Sequence, residues 1–371
     1  MKTILRLLLV GLLAAAGAGA WLWVSLLRPY RNFPDEGVFV KVPRGASCGT
    51  VGQLLEKNGV VRSTLAFKLY CRKHPRRGLQ AGEYFFDRAL SGRDVFWLLA
   101  NGKIFEKLFI VREGQTMFDI ARELEAGKFM TADEFLQAAN DPSLIHDIAP
   151  NAKSLEGFLF PATYHLPRHP AAADLTATMT SRFKELWAKI APPGGGDPDE
   201  HGAGSRAVIS PVTLASLVER ETPLAAERPL VASVFENRLR KGIALQCDPT
   251  VIYALEREGR YSGKLTLQDL RFRSPYNTYR NPGLPPGPIG NPGEASLRAA
   301  LAPAKTDYFY FVANTRGGHF FSATLAEHNR NVERYHRLMA GLPEVPEPPA
   351  APKKHSRRKG KARTSSRSRG R

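Results

Sequence analysis

Residues 111–125 read VREGQTMFDIARELE, and residues 42–56, 69 positions earlier, read VPRGASCGTVGQLLE. Val42, Gly45, Ser47, Val51, Leu55 and Glu56 recur in register as Val111, Gly114, Thr116, Ile120, Leu124 and Glu125. Each matched type has a physical use. The valine ends a strand and the glycine permits a tight turn. The hydroxyl caps the helix that follows, and apolar residues four apart cover one helical face. The stretch therefore reads as a strand–turn–helix unit that occurs twice.

Working outward, strands are expected over Val38–Val42, 84–86 and 108–111. Helices are expected over 47–58, 63–74, 91–101 (with Ser91 as cap), 116–126 and 131–139. Thr131-x-x-Glu134 has capping-box form. Val111-Arg112-Glu113-Gly114-Gln115-Thr116 with Ile120-Ala121 also resembles the LysM module, which binds N-acetylglucosamine polymers. The alternative is a pair of scaffold units with no ligand.

At the N-terminus, residues 7–27 hold no charged side chain. At about 1.5 Å per residue the run is long enough to cross a bilayer, and Trp21 and Trp23 sit near its end as interfacial aromatics do. Ala18-Gly19-Ala20 could instead be a signal-peptidase site. The apolar run continues past it through Leu27, so an uncleaved anchor is expected. Lys2 and Arg6 before the run nearly balance Arg28 and Arg31 after it, which leaves its orientation undecided.

A chain of 371 residues has room for two or three domains. Its net charge of +18 invites a nucleic-acid reading, but ten of the Lys/Arg lie in residues 353–371 with no acidic residue among them. That tail follows a proline-rich spacer at 343–352 and lacks the apolar residues to fold. Residues 192–205, rich in Gly, Pro and Asp, read as an exposed loop. Cys48, Cys71 and Cys247 form no C-x-x-C pair, so no metal site is expected. Cys48 and Cys71 could be bridged, or all three could be free.

The candidate chemistry lies near residue 221. Ser210-Pro211 reads as a helix start, hydroxyl cap then proline, and Pro223 stops the helix after Thr222. Leu214, Leu217 and Val218 make its apolar stripe. Glu221, seven residues after Leu214, falls on that stripe, whereas Glu219 is rotated away and is expected in solvent. A carboxyl on an apolar face at a helix C-terminus is disfavoured as an anion, which suits a proton donor to a glycosidic oxygen. The competing role is an ion pair with a buried arginine, Arg228 or Arg238.

Downstream, residues 229–241 read as an amphipathic helix ended by Gly242, and Asp248-Pro249 opens another, with Asp248 as its cap or as a cleft residue. Residues 273–293 form a long Pro/Gly-rich segment holding Tyr276-Asn277-Thr278-Tyr279, side chains suited to stacking on sugars and hydrogen-bonding them. Residues 308–313 and His319–Ser322 read as a β-hairpin, with His319 a cleft candidate or a structural histidine. Thr324-x-x-Glu327 opens the last helix.

Five ordered segments carry a wider resemblance: Leu155-Glu156-Gly157-Phe158-Leu159-Phe160-Pro161; residues 214–222 around Glu219-Arg220-Glu221-Thr222; residues 245–253 from Leu245-Gln246-Cys247-Asp248; Tyr276 through Gly287; and Phe311 through His319. Together they resemble the YceG-like endolytic murein transglycosylases. The resemblance implies a single-pass inner-membrane protein with its bulk on the periplasmic side. It implies cleavage of peptidoglycan glycan strands to leave 1,6-anhydro ends, without cofactor or metal. It places the catalytic acid at Glu221. Tyr276, Asn277 and Gln246 are expected to position substrate. Peptidoglycan synthases are implied partners; nucleic acid is not expected, and oligomeric state is undetermined. Ala162 and Cys247 depart from the family's usual Asp and small hydroxyl residue.

The expected fold class is α+β: an anchor (1–34), a LysM-like βα repeat region (35–153), a mixed α+β catalytic domain with a Pro/Gly-rich cleft loop and a β-hairpin (154–341), then spacer and tail (342–371). A non-catalytic glycan-binding scaffold is the alternative function.

Overall fold

The computed structural model describes residues 2–191 and 209–343. The expected loop at 192–205 and the basic tail lie outside the described residues. Two compact units divide the chain, residues 1–306 and residues 307–371.

The first unit begins with α1 (Lys2–Leu27), which runs unbroken through Ala18-Gly19-Ala20; its Arg6–Leu27 stretch is long and apolar enough to cross a membrane. Two β-α-α-β units follow. The first is β1 (Val38–Val42), α2 (Cys48–Lys57), α3 (Thr64–Lys73) and β2 (Gly82–Phe86), with β2 antiparallel to β1 and Val40 opposite Tyr84. After α4 (Gly92–Ala100), the pattern returns as β3 (Lys107–Ile110), α5 (Met117–Ala126), α6 (Ala132–Ala139) and β4 (Thr163–Leu166), with Phe109 opposite Tyr164. The closing strand β4 thus lies past residue 153. Flanked by Pro161 and Pro167 and only four residues long, it carries too little alternation to be read from sequence.

The matched residues do equivalent work in both halves. Val42 and Val111 are buried, Gly45 and Gly114 turn at φ +72° and +79°, and Ser47 and Thr116 accept from the N–H groups of Thr50 and Asp119. Val51, Leu55, Ile120 and Leu124 are fully buried. The matched glutamates serve the next helix: Glu56 accepts from Thr64 N (3.1 Å) and Glu125 from Ala132 N (3.2 Å), each satisfying a free N–H at a helix start. Cys48 and Cys71 are free thiols within hydrogen-bonding reach, and burial pushes the Cys71 thiol up.

The rest of this unit is helical: α7 (Ala172–Ile190), α8 (Ile209–Glu221), α9 (Arg228–Arg240), α10 (Asp248–Arg257) and α11 (Glu294–Leu301). Neither α7 nor α11 is among the expected elements. α7 starts without a side-chain cap, so it lacks a start signal. α11 is short and immediately follows the Pro/Gly segment. Ile209, the first described residue of α8, is already helical, so Ser210 lies inside the helix instead of capping it.

A buried polar centre joins these helices to the second β-α-α-β unit. Asn291, fully buried, accepts at Oδ1 from the N–H groups of Gly157 (2.9 Å) and Leu159 (3.0 Å), and donates from Nδ2 to Gln115 O (2.9 Å) and Glu156 Oε1 (3.0 Å). Glu156 also accepts from Met117 N (3.1 Å). Arg220 of α8 donates to Ile289 O (3.2 Å). Residues 287–293 of the Pro/Gly segment are thus a buried strap, not a surface loop.

Burial pushes the Glu156 carboxyl up to about 8, against the lowering pull of Met117 N–H, Tyr253 and Arg220. Its folded value lies above its ordinary 4.5, so its contribution to stability is complete below that pH and is lost as pH rises through about 8. Thermal melts from pH 5 to 9 are therefore expected to fall more steeply for the wild type than for Glu156→Gln. Parallel curves would mean that Glu156 stays ionised throughout.

The second unit consists of β5 (Tyr310–Ala313) and β6 (His319–Ser322), an antiparallel hairpin, and α12 (Leu325–Met339), opened by the Thr324/Glu327 capping box. His319 packs on Phe311 within the hairpin, ring centroids 5.3 Å apart.

Candidate functional site

Glu221 is the last residue of α8, half-buried, following the buried Leu214, Leu217 and Val218. It meets the start of α10. The Cys247 thiol is hydrogen-bonded to Glu221, and burial together with that carboxylate pushes the thiol well up. The thiol is therefore held protonated, as a donor to the Glu221 carboxylate and not as a nucleophile. Tyr279 is also pushed up by burial, then by its hydrogen bond to Asp248 (Oη to Oδ1, 2.6 Å) and by the charges of Asp248 and Glu221. Glu221, Cys247, Asp248 and Tyr279 form one cluster.

Asp248 corrects an expectation. The cap position of α10 is Cys247, whose side chain makes no capping bond, and Asp248 is the first helical residue. Its carboxylate is spent on Tyr279. The cap function falls to Thr278, which accepts from Cys247 N at Oγ1 (3.0 Å) and lies 3.0 Å from Thr250 Oγ1. The Thr278 carbonyl accepts from Gln246 N (3.3 Å). Thr278 thus fastens the 276–279 segment to the 246–250 turn. Its motif is plain in the sequence; a cap supplied from about thirty residues away is not.

Gln246 has φ +54°, one of two described non-glycine residues in the left-handed region, and is exposed. That conformation costs about 1–2 kcal/mol. It is held by the bond to Thr278 and by the next carbonyls upstream, Ala244 O and Leu245 O, which accept from Arg238 Nη1 (3.1 and 2.9 Å). Strain held this firmly is common at functional sites.

Asn277 is fully buried. It donates to Leu270 O and Phe272 O and accepts from Tyr279 N (2.9 Å), so it shapes the loop from inside instead of meeting a ligand. Tyr276 is half-buried farther along α10, against Tyr253 (5.0 Å) and beneath Arg257 (4.8 Å).

Glu219 is not in solvent. Its side chain is 5% exposed, bonded to Arg228 Nη2 (2.7 Å) and to Gly293 N (2.9 Å). Arg228 also reaches Glu113 (3.2 Å). One buried arginine expected as a rival partner for Glu221 therefore serves Glu219. The helical wheel placed Glu219 off the α8 stripe correctly; the error was to equate that side with water, since the strap covers it.

Among the described residues no group of His, Cys, Asp and Glu could hold a metal ion. The arrangement offers one half-buried carboxyl with a thiol donor, beside a strained exposed amide. That is a mixed α+β protein with a half-buried carboxyl at a helix C-terminus, beside a second carboxylate, Asp248, that is bonded to Tyr279. The chain belongs to the YceG-like family, whose model matches residues 40–334. An endolytic murein transglycosylase of Bacillus subtilis is 34% identical over 85% of this chain and 90% of its own length. One from Streptococcus pneumoniae is 29% identical over 89% of this chain, which spans 64% of that protein. The crystal structure of a YceG-like protein from Listeria monocytogenes is 33% identical, with TM-score 0.51 over 80% of this chain and 99% of that one.

A hydroxyl donates a stronger hydrogen bond than a thiol. Cys247→Ser should therefore favour the carboxylate form of Glu221, keep turnover within about tenfold, and move the alkaline limb of the pH–rate profile to lower pH. An unmoved profile would separate the thiol from the reacting group.

Proposed function

We propose that this protein is an endolytic peptidoglycan transglycosylase in which Glu221 is the only catalytic carboxyl. The observation that carries the reading is the place of Glu221, half-buried at the C-terminal end of the apolar face of α8. The family membership and its curated relatives point the same way. Glu221 protonates the oxygen joining N-acetylmuramic acid to N-acetylglucosamine. The carboxylate so formed takes the proton of the muramic C6 hydroxyl as that oxygen attacks C1. The products are a 1,6-anhydro end and a free 4-hydroxyl, and Glu221 leaves the cycle protonated. The substrate's acetamido group can supply the role of a second carboxylate.

Gln246 and Tyr276 position the strand, and Asn277 acts through the loop it braces. The second β-α-α-β unit, LysM-like in its Val111–Thr116 motif, holds glycan beside the site, and the boundaries at 34, 153 and 341 separate anchor, binding region, catalytic region and tail, with β4 reaching back from the catalytic region to close the binding unit. α1 remains as the anchor, with the bulk on the side of the membrane where strands are made and synthases work. A digest of uncrosslinked glycan strands, read by mass spectrometry, tests the reading. Anhydro ends are expected; reducing ends would mean hydrolysis, and binding without products would mean a scaffold.

A further inference from the structure

Residues 57–82 hold seven Lys/Arg and no Asp or Glu. Three of them, Lys68, Arg72 and Arg76, line one exposed face with two leucines. On α3 the exposed stripe is Leu65, Lys68, Leu69 and Arg72, spaced three and four apart, continued by Arg76 in the next loop. Leu65 is 58% and Leu69 37% exposed, although the opposite face of the same helix buries Ala66, Phe67 and Cys71. α3 thus has two apolar faces, one spent on the core and one left open among cations.

Its place in the fold says what covers it. The last turn of α1 packs against α3 and α4, burying Ser25 and Leu26. Gly92 makes room for that approach, since a Cβ there would lie 3.2 Å from Ser25 O. Just past the anchor, Arg62 at the start of α3 lies over the Tyr30 ring (4.5 Å). α3 is in contact with α1 and only about 15 Å long, so its stripe lies close to the end of the apolar helix. A helix face of basic side chains with interspersed leucines has the chemistry of an interfacial helix.

We infer that the exposed face of α3 and the 74–77 loop dock on an anionic phospholipid surface, fixing the orientation of the chain relative to the membrane that α1 spans. This rests on α1 being retained as an anchor. The charge makes the contact sensitive to lipid composition and salt. The leucines limit its depth to the interface.

The test uses the full chain in nanodiscs of phosphatidylcholine alone or with about one-third phosphatidylglycerol, scoring tryptic cleavage after Arg76 and Arg77 against cleavage elsewhere in the chain. Cleavage there is expected to be on the order of tenfold slower on the anionic disc, with the difference removed by about 0.5 M salt. Lys68→Glu/Arg72→Glu should abolish the slowing with an unchanged melting midpoint, and Leu65→Ser/Leu69→Ser should reduce it. Equal rates on both discs overturn the proposal. So does protection that ignores lipid charge, which would indicate a protein covering the face, and so does protection that survives the charge reversal. A chain that fails to enter the disc, or enters it lacking residues 1–27, overturns the anchor and this proposal with it; intact mass distinguishes that outcome.

Discussion

Glu221→Gln is expected to fold as the wild type does and to lose glycan cleavage by at least about 10³-fold. Glutamine keeps the volume and the hydrogen-bonding reach of glutamate, so the α8 terminus and its contact with Cys247 survive. What disappears is a transferable proton and a basic oxygen to receive it back. Both halves of the proposed cycle use the same carboxyl, so no second residue can cover for the loss. Cleavage is to be measured on uncrosslinked strands beside a melting curve of the same sample. A folded variant with more than a tenth of the wild-type rate would remove Glu221 from the chemistry and shift attention to Asp248, the nearest other carboxylate in the cluster. Glu219→Gln makes a useful contrast. It weakens a buried ion pair to Arg228, and burial already pushes that carboxyl up. Its effect should therefore fall on stability before rate. If both glutamates behaved alike, the periodicity that separates them would have no functional content.

What sequence made legible here, and what it hid, follows from the range of the forces involved. The repeat at 42–56 and 111–125 was readable because strand, turn, cap and apolar stripe are all encoded within about fifteen residues, and Glu56 and Glu125 each cap a helix fewer than ten residues on. Glu221 was readable for the same reason: a helix period is local. Its neighbours were not. Cys247 and Tyr279 reach it from other elements, and Thr278 caps α10 from 31 positions beyond Cys247. Asn277 carried the right residue type for a sugar contact, but its burial depends on Leu270 and Phe272 folding over it. Glu219 failed as an expectation because a helical wheel says which side a residue takes and not what lies there. The Pro/Gly strap that covers it offers no periodicity at all.

Asn291→Ala should cost far more than any surface asparagine. The side chain bonds to the Gly157 and Leu159 N–H groups, to the Gln115 carbonyl and to Glu156, all away from water. Alanine leaves two buried donors, the N–H groups of Gly157 and Leu159, without a partner, at about 1–3 kcal/mol for each group that water cannot reach; Gln115 O and Glu156 keep their bonds from Asn291 N and Met117 N. A loss of roughly 3–6 kcal/mol is a large share of the roughly 5–15 kcal/mol that holds a typical domain together. The midpoint should fall by about 10–20 °C. Asn281→Ala is the matched control. Asn281 also bonds two carbonyls, Ser274 O (2.8 Å) and Asn277 O (2.9 Å), but is exposed, so water replaces it and the cost should stay near 1 kcal/mol. A large gap between the two would locate the stability of this region in one polar centre, where the second β-α-α-β unit, the Leu155–Pro161 segment and the strap behind α8 are tied together. Similar small losses would mean that water enters when the amide is removed. The buried carboxyl of Glu156 would then be the feature to titrate, since its raised pKa depends on the same exclusion of water.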